Sequence, residues 1–90
     1  GISVIHLLVK DHRSLKRKLE KLSRIERIVY PDQKDQPLKV YTKDVDAVLS
    51  QIIDVVTSCG SRIMELRIKE PSLDDVFIQM INSKEVFHYE

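Results

Sequence analysis

The chain has 90 residues, of which 42% are hydrophobic and 32% are charged, so it has room for one small folded domain. Its apolar runs are far shorter than the roughly 20 residues of a transmembrane helix, and no basic-then-apolar signal region opens the sequence. The single cysteine, Cys59, excludes an internal disulfide and suits a reducing compartment. Because the first residue is Gly1 and not Met, we expect an excised piece of a larger protein or a processed product. The prediction is one cytosolic domain over residues 1–90.

The net charge is only +1, but the charges are unevenly distributed. Residues 1–30 contain eight basic and three acidic residues, whereas residues 31–90 contain seven basic and eleven acidic ones. Such asymmetry is typical of surfaces that bind nucleic acids or anionic lipids, and also of ordinary solvated helices. We favour the solvated helix and keep a binding surface as the alternative.

The first predicted element is a β-strand over residues 2–9, which are apolar and β-branched as in an interior strand. One face of this strand carries Ile5, Leu7 and Val9, and the other carries Val4 and Leu8.

A basic amphipathic helix follows. Asp11 is placed to cap it, and Leu15, Leu19 and Leu22 recur at helical spacing. Its remaining sides carry the basic residues Arg13, Lys16, Arg17, Lys18, Lys21 and Arg24, of which Arg13, Lys16, Arg17, Lys18 and Lys21 form a candidate basic interaction face.

The next segments predict a hairpin and a second helix. Residues 25–30 and 38–42 are strand candidates, separated by the polar, proline-bounded turn 31–37. Asp44 then caps a helix that Gly60 ends. Its apolar stripe consists of Val45, Val48, Leu49, Ile52, Ile53 and Val56.

A fourth strand and a third helix complete the pattern. Residues 63–69 alternate, with Met64, Leu66 and Ile68 on one side and Glu65, Arg67 and Lys69 on the other. Pro71 cannot continue the strand, and Ser72 and Asp75 have the spacing of a capping box. The new helix carries an apolar stripe of Leu73, Val76, Phe77, Met80 and Ile81.

This order of elements predicts an α+β fold, a ferredoxin-like βαββαβ antiparallel sheet with an additional C-terminal helix. Two helices cover one face of the sheet. For the third helix three placements stay open: an edge of the sheet, its other face, or a projection towards a partner.

Few residues are candidates for chemistry. His6, His12, His88 and Cys59 lack the close spacing of zinc ligands, and Cys59 falls in phase with the buried side of its helix. Two glycines are too few for a phosphate-binding loop. We therefore expect no catalytic, cofactor-binding or metal-binding residues in this chain.

Asp74 and Asp75 form a carboxylate pair of the kind that general acid–base catalysis uses. Their place in the first turn of a helix favours a structural role, because acidic groups there complement the helix dipole and the free backbone amides. We also considered the RNA-recognition sheet, which needs exposed aromatic residues in an Arg/Lys-Gly-aromatic context. Tyr30 and Tyr41 lack that context, so nucleic-acid binding is not expected.

The segment from Ser61 to Ile81 resembles the C-terminal accessory domain of ABC transporter ATP-binding proteins of the ABC-2 exporter type. Asp74 stands where Glu is commoner in the family, and Ile81 and Asn82 replace a frequent Thr-Gly pair. The resemblance rests on a short apolar strand followed by the run Glu70, Pro71, Ser72, Leu73, Asp74, Asp75, Val76 and Phe77.

The resemblance implies a non-catalytic domain that contacts the nucleotide-binding domain of a parent ATPase, or its dimer mate, and tunes assembly or ATPase coupling. It implies that ATP and Mg²⁺ bind in an upstream domain, and that the membrane permease is only an indirect partner. It also implies a cytoplasmic location, peripheral to the membrane through the transporter complex. We expect Leu73 and Phe77 to anchor the last helix in the domain's own core.

The main alternative is a free-standing ferredoxin-like regulatory domain that binds a small ligand or forms a homodimer through its sheet or strand edges. A P-loop and an ABC signature in the upstream coding sequence would distinguish the two.

Overall fold

The computed structural model describes residues 1–75, which form four strands and two helices. The predicted first strand begins one residue later than expected, and the second ends one residue earlier. The strands are Ser3–Val9 (β1), Ile25–Val29 (β2), Leu38–Thr42 (β3) and Ile63–Lys69 (β4), and the helices are His12–Leu19 (α1) and Val45–Ser58 (α2).

The four strands form one antiparallel sheet in the order β2, β3, β1, β4. The central strand β1 places Ile5 opposite Val40 of β3 and opposite Ile68 of β4. A helix follows β1 and another follows β3. This is the predicted ferredoxin-like topology.

The core lies between the helices and one face of the sheet. Each fully buried aliphatic side chain contributes roughly 1.5–3 kcal/mol relative to an exposed one. The buried cluster confirms the predicted core face of β1, and it contains two of the three stripe residues of α1 and three of the six of α2, together with two residues of β3. Its members are Ile5, Leu7, Val9, Leu15, Leu19, Leu38, Val40, Val48, Ile52 and Val56.

The two ends of α2 are those that the sequence predicts. The Asp44 side chain accepts a hydrogen bond from the Ala47 backbone at 3.3 Å. At the other end Gly60 has a φ of 70°, and the Ser61 N–H donates to the Val56 carbonyl at 3.0 Å. These contacts satisfy backbone groups that a helix end otherwise leaves free.

The prediction that the Asp11 side chain caps α1 is wrong. Asp11 occupies the N-cap position, but its carboxylate accepts no capping hydrogen bond. Instead, the Ser14 hydroxyl donates to the Asp11 carbonyl at 3.0 Å. The first turn of α1 is therefore held by a serine that the sequence pattern did not single out.

Helix α1 also ends earlier than the leucine spacing predicted, at Leu19. The N–H groups of Lys21 and Leu22 bond three residues back, which tightens the chain into a turn. Leu22 still packs against the core, but Arg24 has left the helix, with a φ of 66° and a 2.8 Å salt bridge to Asp44.

Strand β4 does not alternate as predicted, because it contains a β-bulge. Ile63 and Glu65 pair with consecutive residues of β1, so Met64 is the extra residue. The bulge brings Ile63 and Leu66 against the core and leaves Met64 55% exposed. Ile68 follows the predicted side but remains 49% exposed, as a residue of the last strand in the sheet order.

After β4 the chain crosses to the sheet face that α1 and α2 leave uncovered. Lys69, Val4 and Tyr41 form one row across β4, β1 and β3, and Asp75 bonds Tyr41. Val4, in the same row, is fully buried. Residues 73–75 are helical and begin the predicted C-terminal helix, over this second face of the sheet. The predicted stripe residues Val76, Phe77, Met80 and Ile81 lie outside the described residues, as does His88.

Candidate interaction surfaces

Ser72 and Asp75 form the predicted capping box. The Asp75 N–H donates to the Ser72 hydroxyl oxygen at 3.2 Å, and the Ser72 N–H donates to Oδ2 of Asp75 at 3.0 Å. The Ser72 hydroxyl itself donates to the same oxygen at 2.9 Å. Oδ2 of Asp75 is thus occupied by the start of its own helix.

The other oxygen of Asp75 contacts the sheet, which the local sequence pattern did not predict. Oδ1 accepts a hydrogen bond from the Tyr41 hydroxyl at 2.5 Å and a charge-assisted one from Nζ of Lys39 at 3.1 Å. Tyr41 is fully buried and Asp75 is 3% exposed. One signal was present: Lys39 and Tyr41 alternate with the core residues Leu38 and Val40, so they point to the second face.

These contacts shift two pKa values in opposite directions. Burial alone raises the pKa of the Asp75 carboxyl, but hydrogen bonds from Tyr41, Ser72 and Lys39 outweigh it and hold the pKa well below its usual range. Burial, and then the bond to Asp75, raise the pKa of Tyr41. Asp75 is therefore an ionised hydrogen-bond acceptor and Tyr41 a neutral donor at physiological pH. Neither group is poised to exchange a proton near pH 7.

His6 lies beside this cluster, between Lys39 and Arg67 in the strand register. Burial lowers its pKa, and the positive charges of Lys69 and Lys39 lower it further. His6 is therefore a neutral residue of the second face.

The remaining described residues of the motif are not buried with Asp75. Glu70, Ser72 and Asp74 are exposed and Pro71 is half-buried, so the carboxylate pair does not share one site. Leu73 is 86% exposed, so the expectation that it anchors the last helix in the domain's own core is wrong. The reason is geometric, because Asp75 is two residues further along the helix and turns towards the sheet. Val76 and Phe77 lie outside the described residues.

Four large hydrophobic side chains are exposed among residues 1–75, and three of them lie on β4 or just after it. These are Met64, Ile68 and Leu73. The fourth, Ile53 at 45% exposure, is on α2, where it was predicted to belong to the buried stripe. That prediction is wrong, because Val48, Ile52 and Val56 already fill the contact with the sheet.

The predicted basic face is exposed on and just after α1. We call Arg13, Lys16, Arg17, Lys18 and Lys21 the α1 basic surface. Within residues 1–75 none of the five forms a salt bridge. Lys16 has one specific contact, with its Nζ 5.1 Å from the centre of the Tyr30 ring. Burial raises the pKa of Tyr30 to about 12, with the nearby Glu20 charge contributing.

Two shallow clefts lie at the start of α1. One, of about 340 Å³, is lined by Lys10, Asp11, His12, Arg13 and Lys34. The other, of about 270 Å³, shares Lys10 and Lys34 and adds Leu8, Val9, Asp35 and Met64. Both are open, but only the first is mostly cationic, so its chemistry suits an anion. Half of the residues that line the second cleft are hydrophobic.

The residues considered for metal or nucleophile chemistry are separated in the structure. His6 is on β1, His12 begins α1, and Cys59 follows α2 and packs against the core, as predicted for a small hydrophobe. Within residues 1–75 no three His, Cys, Asp or Glu side chains are grouped to hold a metal ion. The same part of the chain has no helix long and apolar enough to cross a membrane.

Comparison with known proteins gives one match. A family model described as the C-terminal domain of DrrA1-3-like ATP-binding proteins matches residues 3–81. The matched range contains all four strands, both helices and the capping-box segment. No curated protein and no solved structure matches the chain.

Proposed function

Because the chain belongs to the family of C-terminal domains of DrrA1-3-like ATP-binding proteins, we propose that it is a non-catalytic accessory domain of an ABC transporter ATPase subunit. In this proposal it contacts the ATP-binding core of its parent subunit, or that of the dimer mate, and modulates assembly or ATPase coupling. ATP and Mg²⁺ bind the core, and the permease performs the transport. The domain is then cytoplasmic and peripheral to the membrane.

The observation that carries the proposal is the exposure of Leu73 on a fixed segment. Asp75 holds the segment to β3 through Tyr41 and Lys39, while Leu73, two residues earlier, is 86% exposed. An exposed leucine on a held backbone loses little conformational entropy on binding. Contact with a partner would remove the apolar surface of this leucine from water, which favours binding.

The buried carboxylate of Asp75 supports a structural role for the motif. All of its described hydrogen bonds are with Ser72, Lys39 and Tyr41 of the same chain. The motif therefore shapes and orients the surface that carries Leu73. In the proposed function, the chemistry of the parent subunit takes place elsewhere.

The test compares ATP hydrolysis and transporter assembly by three forms of the parent subunit: intact, lacking residues 1–90, and carrying Leu73→Ser. We expect the deletion to change the hydrolysis rate or assembly, and Leu73→Ser to reproduce much of that change. Ile53→Ser is the matched control, because it removes an exposed hydrophobic side chain from α2. Unchanged hydrolysis and assembly in the deletion would overturn the proposed function.

A further inference from the structure

Apart from the contact of Lys16 with the Tyr30 ring, the α1 basic surface has no specific partner within residues 1–75. Its five side chains are exposed, and within residues 1–75 they have no acidic partner. Arg13 and Arg17 are four residues apart in the helix, where like charges repel each other. Lys16, Arg17 and Lys18 do favour the last turn of α1 through the helix dipole, but this effect is small for exposed groups.

We propose that the α1 basic surface binds the anionic phospholipid headgroups of a membrane directly. Clusters of four to eight Lys and Arg residues on a helix are attracted to anionic bilayers, and each residue increases the binding affinity about fivefold. Five cations lie on or just after α1, and Lys10 and Lys34 add two more around the adjoining clefts. Asp11 and Asp35 also line these clefts and reduce the net attraction there.

The chemistry of the surface favours headgroups over acyl chains. The exposed large hydrophobic side chains of the described residues are Ile53, Met64, Ile68 and Leu73, and none of them lies on α1. Helix α1 therefore has nothing to insert into the bilayer interior, and the contact is electrostatic. The cleft bounded by Lys10, Arg13 and Lys34 is wide enough for a phosphate group between cationic side chains.

The described aromatic residues favour a lipid surface over RNA. Single-stranded RNA is bound through exposed rings that stack on bases. Tyr41 is fully buried against Asp75, and Tyr30 packs against the core under Lys16. A cationic surface without an exposed ring in residues 1–75 suits a partner that presents charge alone.

The placement of α1 allows the domain to contact the ATP-binding core and a membrane at the same time. Helix α1 covers one face of the sheet, whereas the segment that carries Leu73 is held on the other face. A domain bound to the ATP-binding core through Leu73 can thus present the α1 basic surface to a membrane. The lipid contact goes beyond the proposed function, because it requires no other part of the parent ATPase.

The experiment is co-sedimentation of the 90-residue chain with vesicles of phosphatidylcholine, with and without about 30% phosphatidylserine. We expect binding to the anionic vesicles only, and its loss between 0.1 M and 0.5 M salt as screening shortens the range of the attraction. Arg13→Gln, Arg17→Gln and Lys18→Gln together lower the affinity by on the order of 100-fold. Lys16 is kept so that its contact with Tyr30 survives.

A matched control replaces exposed basic residues elsewhere on the chain, Lys43→Gln, Arg62→Gln and Lys69→Gln, which leaves the net charge equal to that of the first variant. We expect these changes to weaken vesicle binding much less. Equal weakening by both triple variants would overturn the proposal, as would absence of binding to anionic vesicles. Tighter binding to a single-stranded RNA than to vesicles would also overturn it, in favour of nucleic acid. Absence of vesicle binding would not change the expected ATP hydrolysis by the parent subunit, so the two proposals are tested independently.

Discussion

The carboxylate of Asp75 and the cations of the α1 basic surface are both charged groups, but the structure uses them differently. Asp75 is 3% exposed, and both of its oxygens accept hydrogen bonds from the same chain. The five cations are exposed and, within residues 1–75, unpaired. The first region therefore stabilises the fold, and the second is available to a partner. Burial and partners decide the role of a charge, which sequence position alone does not reveal.

We expect the largest loss of stability from Asp75→Ala. The change leaves the Tyr41 hydroxyl and the Lys39 ammonium without their acceptor and removes half of the capping box. We expect the free energy of unfolding in urea to fall by about 3 kcal/mol. The neighbouring exposed residue gives the control, because Asp74→Ala should cost less than about 0.5 kcal/mol. Equal losses of unfolding free energy in the two variants would show that the buried contacts of Asp75 do not stabilise the fold.

A smaller loss is expected from Tyr41→Phe, which deletes one hydroxyl and keeps the ring. A hydrogen bond to a charged group contributes about 1.5–3 kcal/mol, so unfolding should become easier by about 2 kcal/mol. The pKa of Asp75 should also rise towards its usual value, which carboxyl NMR titration measures. An unchanged pKa would mean that Tyr41 does not stabilise the carboxylate.

Acid should reduce stability through the same carboxyl. The pKa of Asp75 is lowered on folding, so its stabilisation is complete above the unfolded pKa of about 3.9 and is lost as pH falls towards the folded pKa. Between pH 7 and pH 3 this group alone should cost about 1 kcal/mol. Urea unfolding across this range, compared with Asp75→Asn, isolates the contribution. The variant should lose less stability on acidification than the original chain.

The smallest effect on stability is expected on the α1 basic surface. Arg17→Gln with Lys18→Gln removes two exposed charges that have no described partner, so the unfolding free energy should change by less than about 0.5 kcal/mol. Thermal or urea unfolding measures this directly. A loss of 2 kcal/mol would show that these cations stabilise the fold and are not free for a partner.

The sequence predicts best those features that depend on neighbouring residues or on a regular period. The Asp44 and Gly60 ends of α2 and the Ser72–Asp75 capping box follow from spacing alone and are confirmed. The predicted stripe of α2 is confirmed except at Ile53, which is exposed. The contact of Asp75 with Tyr41 could not be predicted, because 34 residues separate the partners and only the strand order brings them together. Local patterns do not specify such contacts.

The wrong predictions have a related cause. Met64 was predicted to share a side of β4 with Leu66, but the bulge shifts the register and leaves Met64 exposed. Leu73 was predicted to lie in an apolar stripe, but Asp75 faces the sheet and Leu73 is exposed. Asp11 has the residue type of a cap, but Ser14 makes the hydrogen bond. For Met64 and Leu73 the tertiary structure decided between local options that the sequence left open. The choice between Asp11 and Ser14 was made within a single helical turn.

We propose that Leu73 contacts the ATP-binding core and that Asp75 fixes the segment that carries it. The most direct test of this proposal is titration of the 90-residue chain with the purified ATP-binding core of the parent subunit. We expect saturable binding that Leu73→Ser weakens about 10- to 100-fold, which corresponds to burial of one leucine. Ile53→Ser should leave binding unchanged. Absence of binding, or equal weakening by both variants with their folds intact, would contradict the account.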